Sequence, residues 1–455
     1  MVSQQLVREN FYKEPFEKSL VLEKTLWLKE LRANAFAYFS ENGFPTMRNE
    51  EWKYTNVATI AKEAFTLSVP SAVAGGLSER SGESIAGVNP SATADGTDLV
   101  FDECRKSVLV FRNGKYLESL SSLNALNNAK ILSFSEAAND TMYGEVFRSK
   151  LGSLVNTEKN GFTALNTAFI GDGAFVIIPK NVKIEAPIQL LFTTDDGNVS
   201  FPRVLVVAEE FAEATIIETF NRTDESTYLT NAVIEVSLAN EAKVKHYRVQ
   251  RESQQAFHIG STGAAIGRGS VYDATNINLG GKLSRHDIDF RFNSEGGEAF
   301  VDGLYLIGDD QHHDTHSVID HALPNCISHQ TYKGIVDGKA HAVFNGKIFV
   351  RENASGTDGY QSNKNLLLSN DARVDTKPQL EIYNDDVKCA HGATVGQLEE
   401  EELFYLLSRG LNEGLARNLL TYGFAEEIVN KIEIESIKRQ LDEAVLNRLN
   451  AKLEI

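Results

Sequence analysis

One sequence-local group of metal-ligating side chains stands out: Gln311-His312-His313-Asp314-Thr315-His316, followed by Asp320 and His321. In an extended strand, residues two apart share a face, so His312, Asp314 and His316 would line up. Two imidazoles and a carboxylate suit zinc or iron. That reading makes the chain a metal-dependent β-helix enzyme using the His312–His321 cluster. The same residues also describe a row of hydrogen-bonded polar side chains on one wall of a β structure. Residue types alone leave both open.

Cys389 and His391, in Cys389-Ala390-His391-Gly392-Ala393-Thr394, form a second constellation. A thiol and an imidazole two residues apart share one face of a strand, and both bind iron. Taken bare, the spacing is common. A third arrangement sets Cys326 beside His321 or His329. A cysteine hydrolase needs a thiolate, a base and an oxyanion hole, and nothing local supplies the hole, so a buried inert cysteine is expected. Gly260-Ser261-Thr262-Gly263 and Gly267-Arg268-Gly269 do not match G-x-x-x-x-G-K-[ST]. They are expected as turn glycines between strands, and any ATPase activity then has to come from a partner. Arg48-Asn49-Glu50-Glu51-Trp52-Lys53-Tyr54-Thr55 holds no catalytic geometry. Its Trp52 and Tyr54 are expected to pin a helical region onto the β structure. The acidic run Glu399–Glu402 suits a helix start or a basic partner surface.

The elements that position these groups follow from periodicity. Leu20, Leu22, Leu26, Leu28, Leu31, Phe36 and Phe39 predict helix over residues 1 to about 65, broken at Gly43-Phe44-Pro45. Residues 66–98, rich in Ser, Ala and Gly, predict a linker. Val108-Leu109-Val110-Phe111 before Asn113-Gly114 predicts a hairpin, and Ser133 to Leu154 predicts helix. From about 160 to 395 the period becomes two. Val182, Ile184, Ile188, Leu190 and Phe192 share one parity. Ile288, Phe290 and Phe292 alternate with Asp287, Asp289 and Arg291, implying one buried and one solvated face. So long a run of short strands favours a solenoid over a sandwich, although no strict sequence period appears. Past Gly396 the helical period returns, with Leu441, Val445 and Leu449 in one stripe and Gly410, Gly414 and Gly423 expected to divide it. The fold class expected is therefore mainly β: a central β-helix over 161–396, an N-terminal helical region with linker and hairpin over 1–160, and a C-terminal helical region over 397–455.

The 455 residues carry a net charge of −18 and only three cysteines. The charge argues against nucleic acid and anionic membranes. No apolar run is long enough to span a bilayer, and the start lacks the pattern of a secretory leader. Sparse, odd cysteines fit a reducing cytoplasm.

Several stretches together resemble the SufB/SufD family of iron–sulfur cluster assembly proteins, on its SufD side. They are Arg48 to Thr55; His316 to His321 leading into Pro324-Asn325-Cys326-Ile327-Ser328 and Tyr332-Lys333-Gly334; Gln361 to Ser369; Lys377-Pro378-Gln379-Leu380-Glu381-Ile382; and Asp385 to Gly396. The SufB branch reads more like C-E-H-E-A at the last of these, so a SufB-like primary cluster scaffold is the alternative within the family. The resemblance implies a right-handed β-helix between helical regions and a non-catalytic scaffold. The implied partners are a SufB-like subunit, met through the β-helix, and a SufC-like ATPase docked on 397–455. It also implies that His391, and less directly Cys389, contacts iron or a nascent cluster at the SufB interface. With three cysteines, no cluster is expected to bind stably to the lone chain; a transient one belongs to the complex. Open strand edges would pair with a second copy when the chain is alone.

Overall fold

The computed structural model describes residues 2–63, 65–67, 99–222 and 224–448. Its centre is a β-solenoid of eight coils. Each coil contributes one strand to each of two parallel sheets, from Ala174–Ile178 and Ile188–Thr193 to Arg373–Ile382 and Val387–Gly396. Leu229, Phe257, Leu283, His312, His341 and Arg373 stand in one column, each in register with the next. The steps between them are unequal, which is why no strict period shows in the sequence. Corners are made by residues in the left-handed region, including Asn181, Glu241 and Asn325.

The first coils enclose an apolar column in which Phe111, Phe192 and Phe220 stack at centroid distances of 4.9 Å. Their open edges are covered. The strand Val108–Arg112 pairs with Ile188–Thr193, and Lys130–Ser133 pairs with Ala174–Ile178. Asn113 and Gly114, at φ 51° and 77°, turn the first of these into the predicted hairpin. At the other end the strands Arg373–Ile382 and Val387–Gly396 are the last of their sheets, with nothing paired beyond them among the described residues.

The alternation predicted one solvated face. In the middle coils both faces are buried, because helices cover the outside. On one sheet lies the helix Gly161–Ala168, capped by Asn160 and Thr163 and packed against Leu26–Asn42. There Arg203 and Glu235 pair at 2.6 Å, both fully buried. On the other sheet, Ala425, Ile428, Val429, Ile437, Leu441 and Val445 of the helices Glu413–Val429 and Glu435–Arg448 cover Ile217, Tyr247, Val249, Ile277 and Leu304. Lys333 to the Phe424 carbonyl (2.9 Å) and Lys431 to Asp302 (2.8 Å) fix that packing.

Other local expectations change as well. Residues 182–187 form a corner rather than the start of a strand. Of Ser133–Leu154, only Phe134–Ala137 and Gly144–Lys150 are helical. Helix ends at Asn42, and Glu50–Trp52 is a single tight turn. Thr66–Leu67 pairs with Asn198–Val199; residues 68–98 of the predicted linker lie outside the described residues. Gly410 ends a helix at φ 93°, but Gly414 and Gly423 lie inside Glu413–Val429, so the tail is divided less than expected. Leu449 lies outside the described residues.

Candidate functional site

His312, Asp314 and His316 do share one face of the strand His312–His321, and that face is occupied by the chain's own N-terminal motif. Thr55, fully buried, bridges His312 Nε2 at 2.8 Å and Asp314 Oδ2 at 2.5 Å. His316 lies 3.0 Å from Asp314 and 3.2 Å from Glu51. Arg285 donates to Asp314 (2.7 Å), to Asp287 (2.8 Å) and to the Glu51 carbonyl (2.7 Å). Its guanidinium carbon sits 3.8 Å from the Trp52 ring centroid. The motif Arg48–Thr55 is thus a latch between the N-terminal region and the solenoid. Trp52 is buried as expected, while Tyr54 is only half-buried and carries Lys53 over its ring. Among the described residues no three His, Cys, Asp or Glu are arranged to hold a metal.

Electrostatics match a latch. Burial pushes the Asp314 carboxyl upward, but His316 and Arg285 outweigh it and hold Asp314 far below its ordinary range. Burial and Arg285 push His316 down, but Asp314 and Glu51 leave it raised. The His316 hydrogen bond lowers Glu51.

Cys389 and His391 lie on the final strand, Val387–Gly396, and share its lumen-side parity. Cys389 is in register with Gly359, and His391 with the fully buried Gln361. Cys389 is half-buried among Ile348, Val350, Ala354 and Leu380, and burial raises its thiol. His391 is exposed. Around them the open end presents Ile382, Tyr383, Val395 and Tyr360, each at least 40% exposed. An imidazole and a thiol on an uncovered strand edge give one or two ligands of moderate strength, with further ligands left to whatever pairs with that edge.

Comparison with known proteins decides the family. Residues 191–424 match the family model for the SUF system FeS cluster assembly SufBD core domain, and residues 6–74 with 101–190 match the SufBD protein N-terminal region. The chain belongs to the SufBD family. It is 36% identical over 415 residues to the iron–sulfur cluster assembly SufBD family protein slr0076 of Synechocystis sp., covering 88% of this chain and 86% of the relative. It is 30% identical to iron–sulfur cluster assembly protein SufD of Escherichia coli, over 90% of each chain. The Arabidopsis thaliana protein ABCI7, chloroplastic, is 35% identical over 61% of each chain.

Within this SufBD chain the remaining candidates take up structural contacts. Cys326 is fully buried, and its thiol donates to the carbonyls of Ser294 and Pro324 at 3.4 Å. His321 Nε2 bonds Ser328 (2.7 Å) and His329 Nε2 bonds Asp358 (3.3 Å), and neither is hydrogen-bonded to Cys326 among the described residues. Gly260 and Gly263 are inside the strand Phe257–Ile266, not at a turn; Gly260 leaves room for Arg248 and His258 in the lumen. The acidic run does open the helix Glu400–Ser408. No helix among the described residues is long and apolar enough to cross a membrane.

Sequence reasoning missed Arg285 and Lys159. It also placed Asp287 on a solvated face, although Asp287 is buried beneath the latch beside both cations. It missed the polar lumen of the later coils too. There Arg248 meets His258 at 2.6 Å, His258 meets Glu252 at 2.7 Å, and His313 bonds Ser284 at 2.9 Å. An unpaired alternation of His and Ser on inward parity was the available signal.

These buried imidazoles set a pH dependence. Burial lowers His312 to about 4, His313 to about 3 and His321 to about 4 from an ordinary 6.5. The unfolded chain takes up protons there near pH 6.5 and the folded chain does not. Stability is therefore present above pH 6.5 and is lost as pH falls towards 4, by up to about 1.4 kcal/mol per unit per histidine. His316, raised, works the other way: its contribution is present below 6.5 and fades as pH rises through its folded value. Burial also lowers His258 and His286; five against one, the denaturant midpoint should fall steadily between pH 7 and 5. A flat midpoint across that interval would contradict neutral burial of the five.

Proposed function

We propose that this chain is a non-catalytic scaffold subunit of iron–sulfur cluster assembly, acting within a complex and not alone. The observation that carries the reading is the asymmetry of the solenoid: its first end is covered, and its last end exposes two strand edges, an apolar rim and His391. Such an end fits pairing with the solenoid of a SufB-like subunit, edge to edge. His391 then supplies one ligand to iron or a nascent cluster, with Cys389 as a lesser candidate, and the partner supplies thiolates. An imidazole in place of a thiolate suits a cluster that must leave.

The tail fits a second contact. The helix Glu400–Ser408 buries none of its residues and exposes Phe404 (72% exposed), while Tyr405 and Leu406 line a shallow apolar hollow with Leu420 beside Glu401 and Glu402. This face suits a SufC-like ATPase, whose nucleotide-driven motion would reach the cluster site through the solenoid. Absent a SufB-like partner, the open edge would pair with a second copy. A reducing compartment such as the cytoplasm suits both the thiols and the cargo. The reading is tested by iron and acid-labile sulfide in the co-purified complex, wild type against His391→Ala.

A further inference from the structure

The layer of the lumen that ends at His391 can be followed inward coil by coil. On one sheet Gln330, Gln361 and His391 are in successive register; on the other, Ser317, Gly346 and Pro378 are. Ser317 and Gln330 face each other across the lumen, with Ser317 Oγ 3.0 Å from Gln330 Oε1 and 2.9 Å from Gln330 Nε2. Gln361 donates its Nε2 to Gln330 Oε1 at 2.7 Å. That bond fixes which way the Gln361 amide points. Gly346, having no side chain, leaves the space the amide fills; a Cβ there would collide with it.

The ladder stops one coil short of the edge. Gln361 is fully buried, yet its Oε1 has no hydrogen-bond partner. A buried amide oxygen left without a donor has lost its hydration with nothing in exchange, so such an atom calls for an explanation. Across the lumen, the next coil offers Pro378, whose backbone has no N–H. The residue stacked on Gln361 in that coil is His391, about 4.8 Å away at the usual strand spacing. The His391 side chain is exposed and makes no hydrogen bond among the described residues, so its ring is free to turn.

We infer that Gln361 is a positioning residue for His391: its Oε1 accepts the imidazole N–H, fixes the tautomer, and turns the other ring nitrogen, with its lone pair, towards the open end. The inference rests on the reading of His391 as a ligand, and it supplies what a ligating histidine ordinarily has, an acceptor on its second nitrogen. Ser317 and Gln330 anchor that acceptor from the coil before it.

The test uses the full chain labelled with 15N-histidine, the His391 signals being identified by their loss in His391→Ala. At alkaline pH wild type should show one dominant His391 tautomer, and Gln361→Leu should convert it to a mixture. Gln361→Leu keeps the volume and leaves Gln330 bonded to Ser317, so the solenoid is retained; Gly346→Ala, which crowds the amide from the opposite wall, should give the same mixture. In the complex, Gln361→Leu should release iron to a chelator on the order of 10-fold faster, with no added effect in a His391→Ala background. Identical tautomers in wild type and both variants overturn the inference. If the tautomer responds but His391→Ala leaves cluster content unchanged, the positioning stands and the ligand role of His391 falls instead.

Discussion

Arg285→Ala is expected to free the latch segment Arg48–Thr55 from the solenoid and to lower stability by about 3–5 kcal/mol, the range for breaking a buried ion pair by removing one partner. Arg285 is almost fully buried and joins four groups: Asp287, Asp314, the Glu51 carbonyl and the Trp52 face. Without it two carboxylates remain buried. Lys159 lies 3.9 Å from Asp287, and His316 lies 3.0 Å from Asp314; each offsets part of that charge. Arg285→Lys should fall between, because a point charge cannot reproduce the fork on Asp287 together with the bond to Asp314. Limited proteolysis near residue 50 and a thermal melt read both effects. Arg291→Ala, at an exposed side chain with only a 3.9 Å ion pair, is the control and should stay within about 0.5 kcal/mol of wild type. An Arg285→Ala chain that melts and resists protease like wild type would refute the latch.

The second large effect concerns the open end. Val395→Asp together with Ile382→Asp should leave the lone chain folded with unchanged circular dichroism, since both positions are at least 40% exposed, while shifting it from dimer to monomer. The same pair should weaken assembly with a SufB-like subunit by about 100-fold or more. That is roughly 2.7 kcal/mol, a modest figure for burying two unpaired carboxylates at an interface. Val21→Asp, 77% exposed on the N-terminal helix, serves as the control surface. Co-purification of the double variant at wild-type stoichiometry would move the contact elsewhere.

The broad architecture was legible because period-two and helical patterning are local. The hairpin at Asn113-Gly114, the long β run and the helical tail each announce themselves in a few residues. What the alternation could not tell was which outward faces would be covered. Asp287 reads as solvated from its neighbours Phe290 and Phe292, and it is buried under Arg285, which the segment Arg48–Thr55 more than two hundred residues earlier holds in place, and beside Lys159. The His312–His316 row was visible as a row. Its meaning depended on Thr55, Glu51 and Arg285, which no local window contains. The lumen ladder of Gln330 and Gln361 was hidden for the same reason: unequal coil lengths disguise the register that stacks them. At the open end, the Cys389-x-His391 spacing did place both residues on one strand face. Their standing on a terminal edge depends on where the solenoid stops.

The central claim is that His391 holds cargo at the junction with a partner. The most direct measurement is iron and acid-labile sulfide, per complex, in material co-purified with SufB-like and SufC-like subunits, wild type against His391→Ala. The account predicts a variant complex of unchanged stoichiometry carrying several-fold less iron and sulfide. An intact variant complex as fully loaded as wild type would contradict it and reduce this subunit to an architectural role.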